Sequence, residues 1–187
     1  MKNIAIFASG SGSNAQNISE YFKGKSDVNI ALILTNSKSA FVIQRAKKLK
    51  IPVVIFNRND FYKTENVLDK LKSFQIDFIV LAGFLWLIPD NLIKTFPGRI
   101  INIHPALLPK YGGKGMFGMK VHEAVKLANE TESGITIHFV NEKYDEGEII
   151  FQAKVKIEET DKPEKIAEKI HKLEYEHFPR VIENLLK

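Results

Sequence analysis

The 187-residue chain contains no cysteine. Disulfides, thiolate nucleophiles and cysteine-based metal clusters are therefore excluded, and a cytoplasmic protein is the natural expectation. No run approaches the ~18 consecutive apolar residues of a membrane span. The opening stretch MKNIAIFASG turns into a glycine loop too soon to read as a signal peptide. Internal repeats, low-complexity tracts and long linkers are missing, so one domain over 1–187 is expected. No Cys/His cluster has ligand spacing, so neither a metal nor a redox cofactor is expected. The net charge is +5, yet no basic arm or RNP-like aromatic motif accompanies it. The lysines are scattered along helical stretches such as RAKKLK (45–50) and KPEKIAEKIHK (162–172). That pattern reads as a solvated surface that draws in small anions, not as a nucleic-acid face or a membrane-binding one.

What is present alternates. Short apolar runs at 3–8, 28–35, 51–56, 76–83 and 99–103 read as buried strands. Helical stretches separate them: one ending near Phe22, then 41–50, 60–74 and a short one from Pro89. Apolar runs without strict alternation, separated by helices, predict a Rossmann-like, open, mostly parallel twisted sheet with helices on both faces. The pattern then changes. The glycine-rich loop KYGGKGMFG (110–118) leads to a helix near 119–129. Runs at 134–140 and 147–157, joined by NEKYDE, predict an antiparallel strand pair at the sheet edge, and a helix over 162–185 follows.

The first loop, Gly10-Ser11-Gly12-Ser13-Asn14-Ala15, fits G-x-G-x-x-A between a strand and a helix, the context of a dinucleotide fingerprint. The acid expected at the end of the second strand is missing, because that strand ends in Thr35-Asn36-Ser37. A single phosphate on Gly12, Ser13 and Asn14 is the better reading: glycines admit backbone N–H groups to an anion, and the helix N-terminus adds its dipole. The competing reading is a tight strand-to-helix turn capped by Asn14.

The segment INIHPALLP (101–109) ends a strand in two prolines. Side chains alternate across a strand, so Asn102 and His104 share a face. An amide and an imidazole converging at the carboxyl end of a parallel strand fit an oxyanion hole, and the imidazole can also move a proton. The charged form of His104 needs an orienting carboxylate. Asp145, in the turn YDEG, is the first candidate, with Glu142, Glu146 and Glu148 as alternatives. His122, His171 and His177 lie in helical stretches and His138 in a strand. All four read as structural.

SGSGSN (9–14), VLAGFLWLI (80–88), INIHPALLPKY (101–111), GITIHFV (134–140), YDEG (144–147) and QAKVKI (152–157) together resemble the folate-dependent formyltransferase family, and within it the phosphoribosylglycinamide formyltransferases. The resemblance implies transfer of a formyl group from 10-formyltetrahydrofolate to the glycine amine of N1-(5-phospho-D-ribosyl)glycinamide in purine synthesis, with no metal. It implies that Asn102 and His104 hold the oxyanion and that Asp145 raises the His104 pKa. It places the phosphoribosyl group on Gly12, Ser13, Asn14 and Glu174, with Lys63 (Arg58 second) as the basic residue near the phosphate. It places the folate on Leu85, Trp86, Leu87, Ile88 and Asn102. Monomer or weak homodimer is the expected state. Three departures stand out: many relatives carry arginine at the position of Trp86, the 110–118 loop exceeds their KYPG stretch, and some have a C-terminal tail. Formyltetrahydrofolate deformylase normally has an N-terminal regulatory domain and methionyl-tRNA formyltransferase a C-terminal RNA-binding domain. A non-catalytic phosphate-binding module is the remaining alternative.

Overall fold

The computed structural model describes residues 1–187. Seven strands form one mixed, mostly parallel sheet in the order β3-β2-β1-β4-β5-β6-β7. The chain divides into two compact units, Met1–Ile101 and Asn102–Lys187. No helix is long and apolar enough to cross a membrane.

The first unit contains β1 (Lys2–Phe7), α1 (Ser13–Phe22), β2 (Val28–Thr35), α2 (Val42–Leu49), β3 (Val53–Ile55), α3 (Arg58–Tyr62), α4 (Asn66–Ser73), β4 (Phe78–Leu81) and α5 (Asp90–Thr95). β1 pairs in parallel with β2 and β4, and β2 with β3. Ile4, Ala5, Ile6 and Phe7 are fully buried, as a strand covered on both faces requires. The chain steps from β1 outward to β2 and β3, then returns to place β4 on the other side of β1. Right-handed crossovers in opposite directions put α1 and α2 on one face and α3 and α4 on the other. The stepping direction reverses between β1 and β4, and open sheets take ligands at the carboxyl ends of strands at such a switch point.

One expected element is corrected. The helix anticipated over 60–74 is two helices. The first starts in a capping box, in which Asn57 Oδ1 accepts the Asp60 N–H and Asp60 Oδ2 accepts the Asn57 N–H. It ends where Thr64 intervenes: its hydroxyl donates to the Asp60 carbonyl and accepts the Asn66 N–H. Side-chain bonds replace the backbone ladder there and allow a second start. Apolar periodicity runs through both helices, so the break has no hydrophobic signature.

β5 (Ile100–His104) begins in the first unit and ends in the second. The second unit continues with α6 (Met119–Leu127), β6 (Glu132–Phe139), β7 (Ile149–Lys156) and α7 (Pro163–Leu186). β6 and β7 are antiparallel, with a register shift between Ile137 and His138. The PALLP segment is held to β6 by one buried hydroxyl. Thr136 Oγ1 donates to the Ala106 carbonyl at 2.7 Å and accepts the Leu108 N–H at 3.0 Å, and Gln152 Nε2 donates to it at 2.9 Å. α7 turns Ile166, Ala167, Ile170, Phe178, Val181 and Ile182 inward, and Glu174 is buried in the same stripe.

Candidate active site

Asn102 and His104 lie in β5, and both come against Asp145. His104 Nδ1 lies 3.5 Å from Asp145 Oδ2. Asn102 Nδ2 donates to Asp145 Oδ1 at 3.4 Å and lies 3.1 Å from His138 Nε2. Asp145 adopts a left-handed backbone conformation, φ 56°, and the Gly113 N–H donates to its Oδ2 at 2.9 Å. His104 and His138 are 3% and 2% exposed, so the cluster sits in a medium where charge is costly.

The hydrogen bonds fix the ring tautomers. His104 Nε2 is 2.7 Å from the Tyr111 carbonyl, and a carbonyl only accepts, so Nε2 carries a proton. A second proton would sit on Nδ1, facing Asp145. His138 Nδ1 is 2.8 Å from its neighbour's carbonyl at Phe139, so Nδ1–H donates there and Nε2 accepts from Asn102. Both Asn102 amide hydrogens and the His104 Nε2–H thus have internal acceptors.

Burial pulls the His104 pKa below the usual imidazole value. Asp145 and the Tyr111 carbonyl push it up but do not overcome burial. The upward push expected from Asp145 is present, while the net shift is downward. For Asp145, burial pushes upward, and His138, His104 and the Gly113 N–H together bring the carboxyl below its ordinary value. At neutral pH Asp145 is charged and His104 neutral. A carboxylate held low contributes stability above its unfolded pKa and loses it as pH falls through the folded value. Asp145→Asn therefore flattens the acid limb of the stability profile. Urea unfolding of both proteins from pH 7 to pH 3 checks this, and parallel profiles would refute it.

Two participants escaped the sequence reading. His138 shares a strand face with Thr136, and the adjacent register shift sets its local geometry. Tyr111 acts through its carbonyl, held at φ 57°, and a main-chain role leaves no side-chain signal.

The first unit holds the two other expected groups. Gly12 has φ 70° and caps α1 without a side-chain bond, so Asn14 is not the cap. A Cβ on Gly12 would lie 2.3 Å from Val42 Cγ2 and 2.9 Å from its Cα, so only glycine fits between the loop and α2. Ser13 is the first residue of α1, and Asn14 is buried in its first turn. Arg45 Nε donates to the Ser11 carbonyl at 2.8 Å, and its guanidinium also bonds Gln16. Arg45 is the cation tied to this loop. It lies in a stretch that the sequence presents as solvated helix. Lys63 closes α3 and is exposed.

The 85–88 segment follows β4, beside the loop after β1: the Ser9 N–H donates to the Gly83 carbonyl at 3.0 Å, and Ser9 Oγ accepts the Leu85 N–H at 3.1 Å. Leu85 is exposed, Trp86 and Leu87 are half-buried and Ile88 is buried. Tyr62 Oη donates to the Leu87 carbonyl at 2.9 Å. The Trp86 ring packs 6.0 Å from Phe56, 5.9 Å from Phe61 and 6.0 Å from Tyr62, with the Arg58 guanidinium 4.8 Å over it. Trp86 is thus partly an aromatic-layer residue, and Arg58 rests on that layer. In the second unit, Glu174 is 4% exposed, and its Oε2 lies 2.8 Å from His171 Nδ1.

Residues 2–182 match the model of the formyl transferase family. The chain is 41% identical to a chloroplastic phosphoribosylglycinamide formyltransferase of Arabidopsis thaliana, over 100% of this chain and 67% of that protein. It is 38% identical to the phosphoribosylglycinamide formyltransferase of Bacillus subtilis, over 100% of this chain and 95% of that protein. The crystal structure of phosphoribosylglycinamide formyltransferase from Bacillus halodurans superposes with a TM-score of 0.89 at 39% identity, covering 100% of this chain and 96% of the other. The cluster at Asn102, His104 and Asp145 therefore lies in a chain that belongs to the formyl transferase family, in the group of the phosphoribosylglycinamide formyltransferases.

Proposed function

We propose that this protein transfers the formyl group of 10-formyltetrahydrofolate to the glycine amine of N1-(5-phospho-D-ribosyl)glycinamide, in purine synthesis, as a single cytoplasmic domain over 1–187. The convergence of Asn102 and His104 on Asp145 carries the reading. The amine attacks the formyl carbon, and the carbonyl π electrons move to oxygen. That oxyanion draws the His104 Nε2–H from the neutral Tyr111 carbonyl, and the Asn102 amide from a long 3.4 Å contact to the Asp145 carboxylate. Hydrogen bonds to an ion are roughly twice as strong as neutral ones, so the exchange at His104 favours the transition state over the resting site. The C–N bond to folate then breaks with its electrons on N10. The amine loses one proton and N10 gains one. His104, with Nδ1 facing Asp145, is the group placed to relay it.

Gly12, Ser13 and Asn14 hold the substrate phosphate with the N–H groups at the start of α1. Arg45 adds charge from the loop's edge, Lys63 is a second cation, and Glu174 receives the ribose. Leu85 to Ile88, with Asn102, line the folate pocket. The partners are small molecules, with no nucleic acid, no membrane and no metal, and the protein is a monomer or weak homodimer.

The test is turnover of purified protein on 10-formyltetrahydrofolate with and without the ribonucleotide, following tetrahydrofolate and formate, in the presence of a chelator. Tetrahydrofolate formed only with the ribonucleotide, without formate and unaffected by chelator, is the expected result. Formate release without acceptor would make the protein a hydrolase, and loss of activity on chelation would contradict the metal-free reading.

A further inference from the structure

Two buried polar side chains of the second unit take no part in the formyl transfer itself. Glu174 replaces an apolar residue in the inward stripe of α7 and is 4% exposed, with its Oε2 held by His171 Nδ1 at 2.8 Å. His122 lies on α6 at 3% exposure, next to the fully buried Val121, and its Nδ1 has no hydrogen-bond partner. A buried polar atom left without a partner costs about 1–3 kcal/mol, and a leucine there would avoid that cost.

We propose that His122 is a further acceptor-binding residue: its Nδ1 pairs with a ribose hydroxyl beside Glu174, whose carboxylate His171 holds in position. The proposal rests on the formyl-transfer reading and extends its sugar contact. The charge state agrees. Burial, and then the neighbouring His171, hold the His122 pKa down at about 4 against the opposing pull of Glu174. A neutral imidazole offers one donor and one acceptor, which matches a neutral hydroxyl and not a phosphate. His104 also acts on His122 electrostatically, as Glu174 does. α6, which carries His122, packs against α7, which carries Glu174. His171 is a positioning residue, half-exposed, and its pKa is raised chiefly by its bond to Glu174.

The test is steady-state kinetics of His122→Leu, His122→Asn and His171→Ala with the ribonucleotide and with its 2′,3′-dideoxyribosyl analogue. Loss of one hydrogen bond should raise the KM for the ribonucleotide about tenfold in His122→Leu, with the KM for the folate unchanged and the thermal midpoint equal or higher. His122→Asn, which keeps a polar atom near Nδ1, should recover most of the loss. His171→Ala should raise the same KM. On the dideoxy analogue, wild type and His122→Leu should converge. A folded His122→Leu with an unchanged ribonucleotide KM, or an equal penalty on the analogue, would overturn the proposal. No turnover by the unaltered protein would overturn the formyl-transfer reading and this extension together, whereas normal wild-type turnover with an unaffected variant would overturn the extension alone.

Discussion

His104→Ala lowers turnover by about 10³-fold or more while leaving the KM for both substrates near wild type. Two losses combine. Removing a single oxyanion donor typically costs about 10²–10³, and removing a positioned proton-transfer group typically costs about 10²–10⁴. The two are functions of one ring, so they do not simply multiply. The substitution also takes the Nε2–H donor from the Tyr111 carbonyl, while Asp145 keeps the Gly113 N–H and the Asn102 amide. Some stability is therefore lost too, about 1–3 kcal/mol for a buried polar group losing its partner. Single-turnover measurement at saturating substrates separates the chemical step from folding. A variant that is folded and turns over within tenfold of wild type would remove His104 from the mechanism.

Gly147→Ala is the second large effect, and it comes from sterics. A Cβ there would lie 1.6 Å from the Phe139 carbonyl oxygen and 2.7 Å from its carbon. Both are backbone atoms, so no rotamer change relieves the clash. The same carbonyl accepts from His138 Nδ1, and the Phe139 N–H donates to the Glu148 carbonyl at 2.9 Å. The β6–β7 connection must open, and Asp145 travels with it. The expected cost is about 3 kcal/mol, at the upper end for single substitutions, with turnover falling in the fraction that still folds. Urea unfolding followed by an activity assay reads both. Wild-type stability with wild-type turnover would show that the connection relaxes more easily than its geometry implies.

The parallel strands were legible because two-sided burial writes itself as apolar runs; β2 occupies the residues expected, Val28–Thr35. The shared face of Asn102 and His104 followed from strand periodicity alone. Their meeting with Asp145 did not, because no local pattern joins positions 41 residues apart, and the resemblance supplied that link. Apolar spacing predicts one helix over 60–74 because Thr64, which breaks the ladder between Arg58–Tyr62 and Asn66–Ser73 with a hydroxyl, leaves that spacing intact. His138 reads as structural because a buried strand histidine usually is, and its contact with Asn102 has no local signature in the sequence. Arg45 was hidden by its setting among lysines, where its contact with the Ser11 carbonyl is invisible.

The Thr136 hydroxyl, which holds the Ala106 carbonyl and the Leu108 N–H at once, sets where this chain can vary in length. An inserted residue between His104 and Leu108 would pull one of those groups away from an oxygen that cannot follow, since Thr136 is fully buried in β6. Further along, the Tyr111 carbonyl and the Gly113 N–H are tied to His104 and Asp145, so the backbone is pinned a second time. Extra length is tolerated only after Gly113, in KGMFG (114–118), where it extends the loop without changing the path that delivers His104.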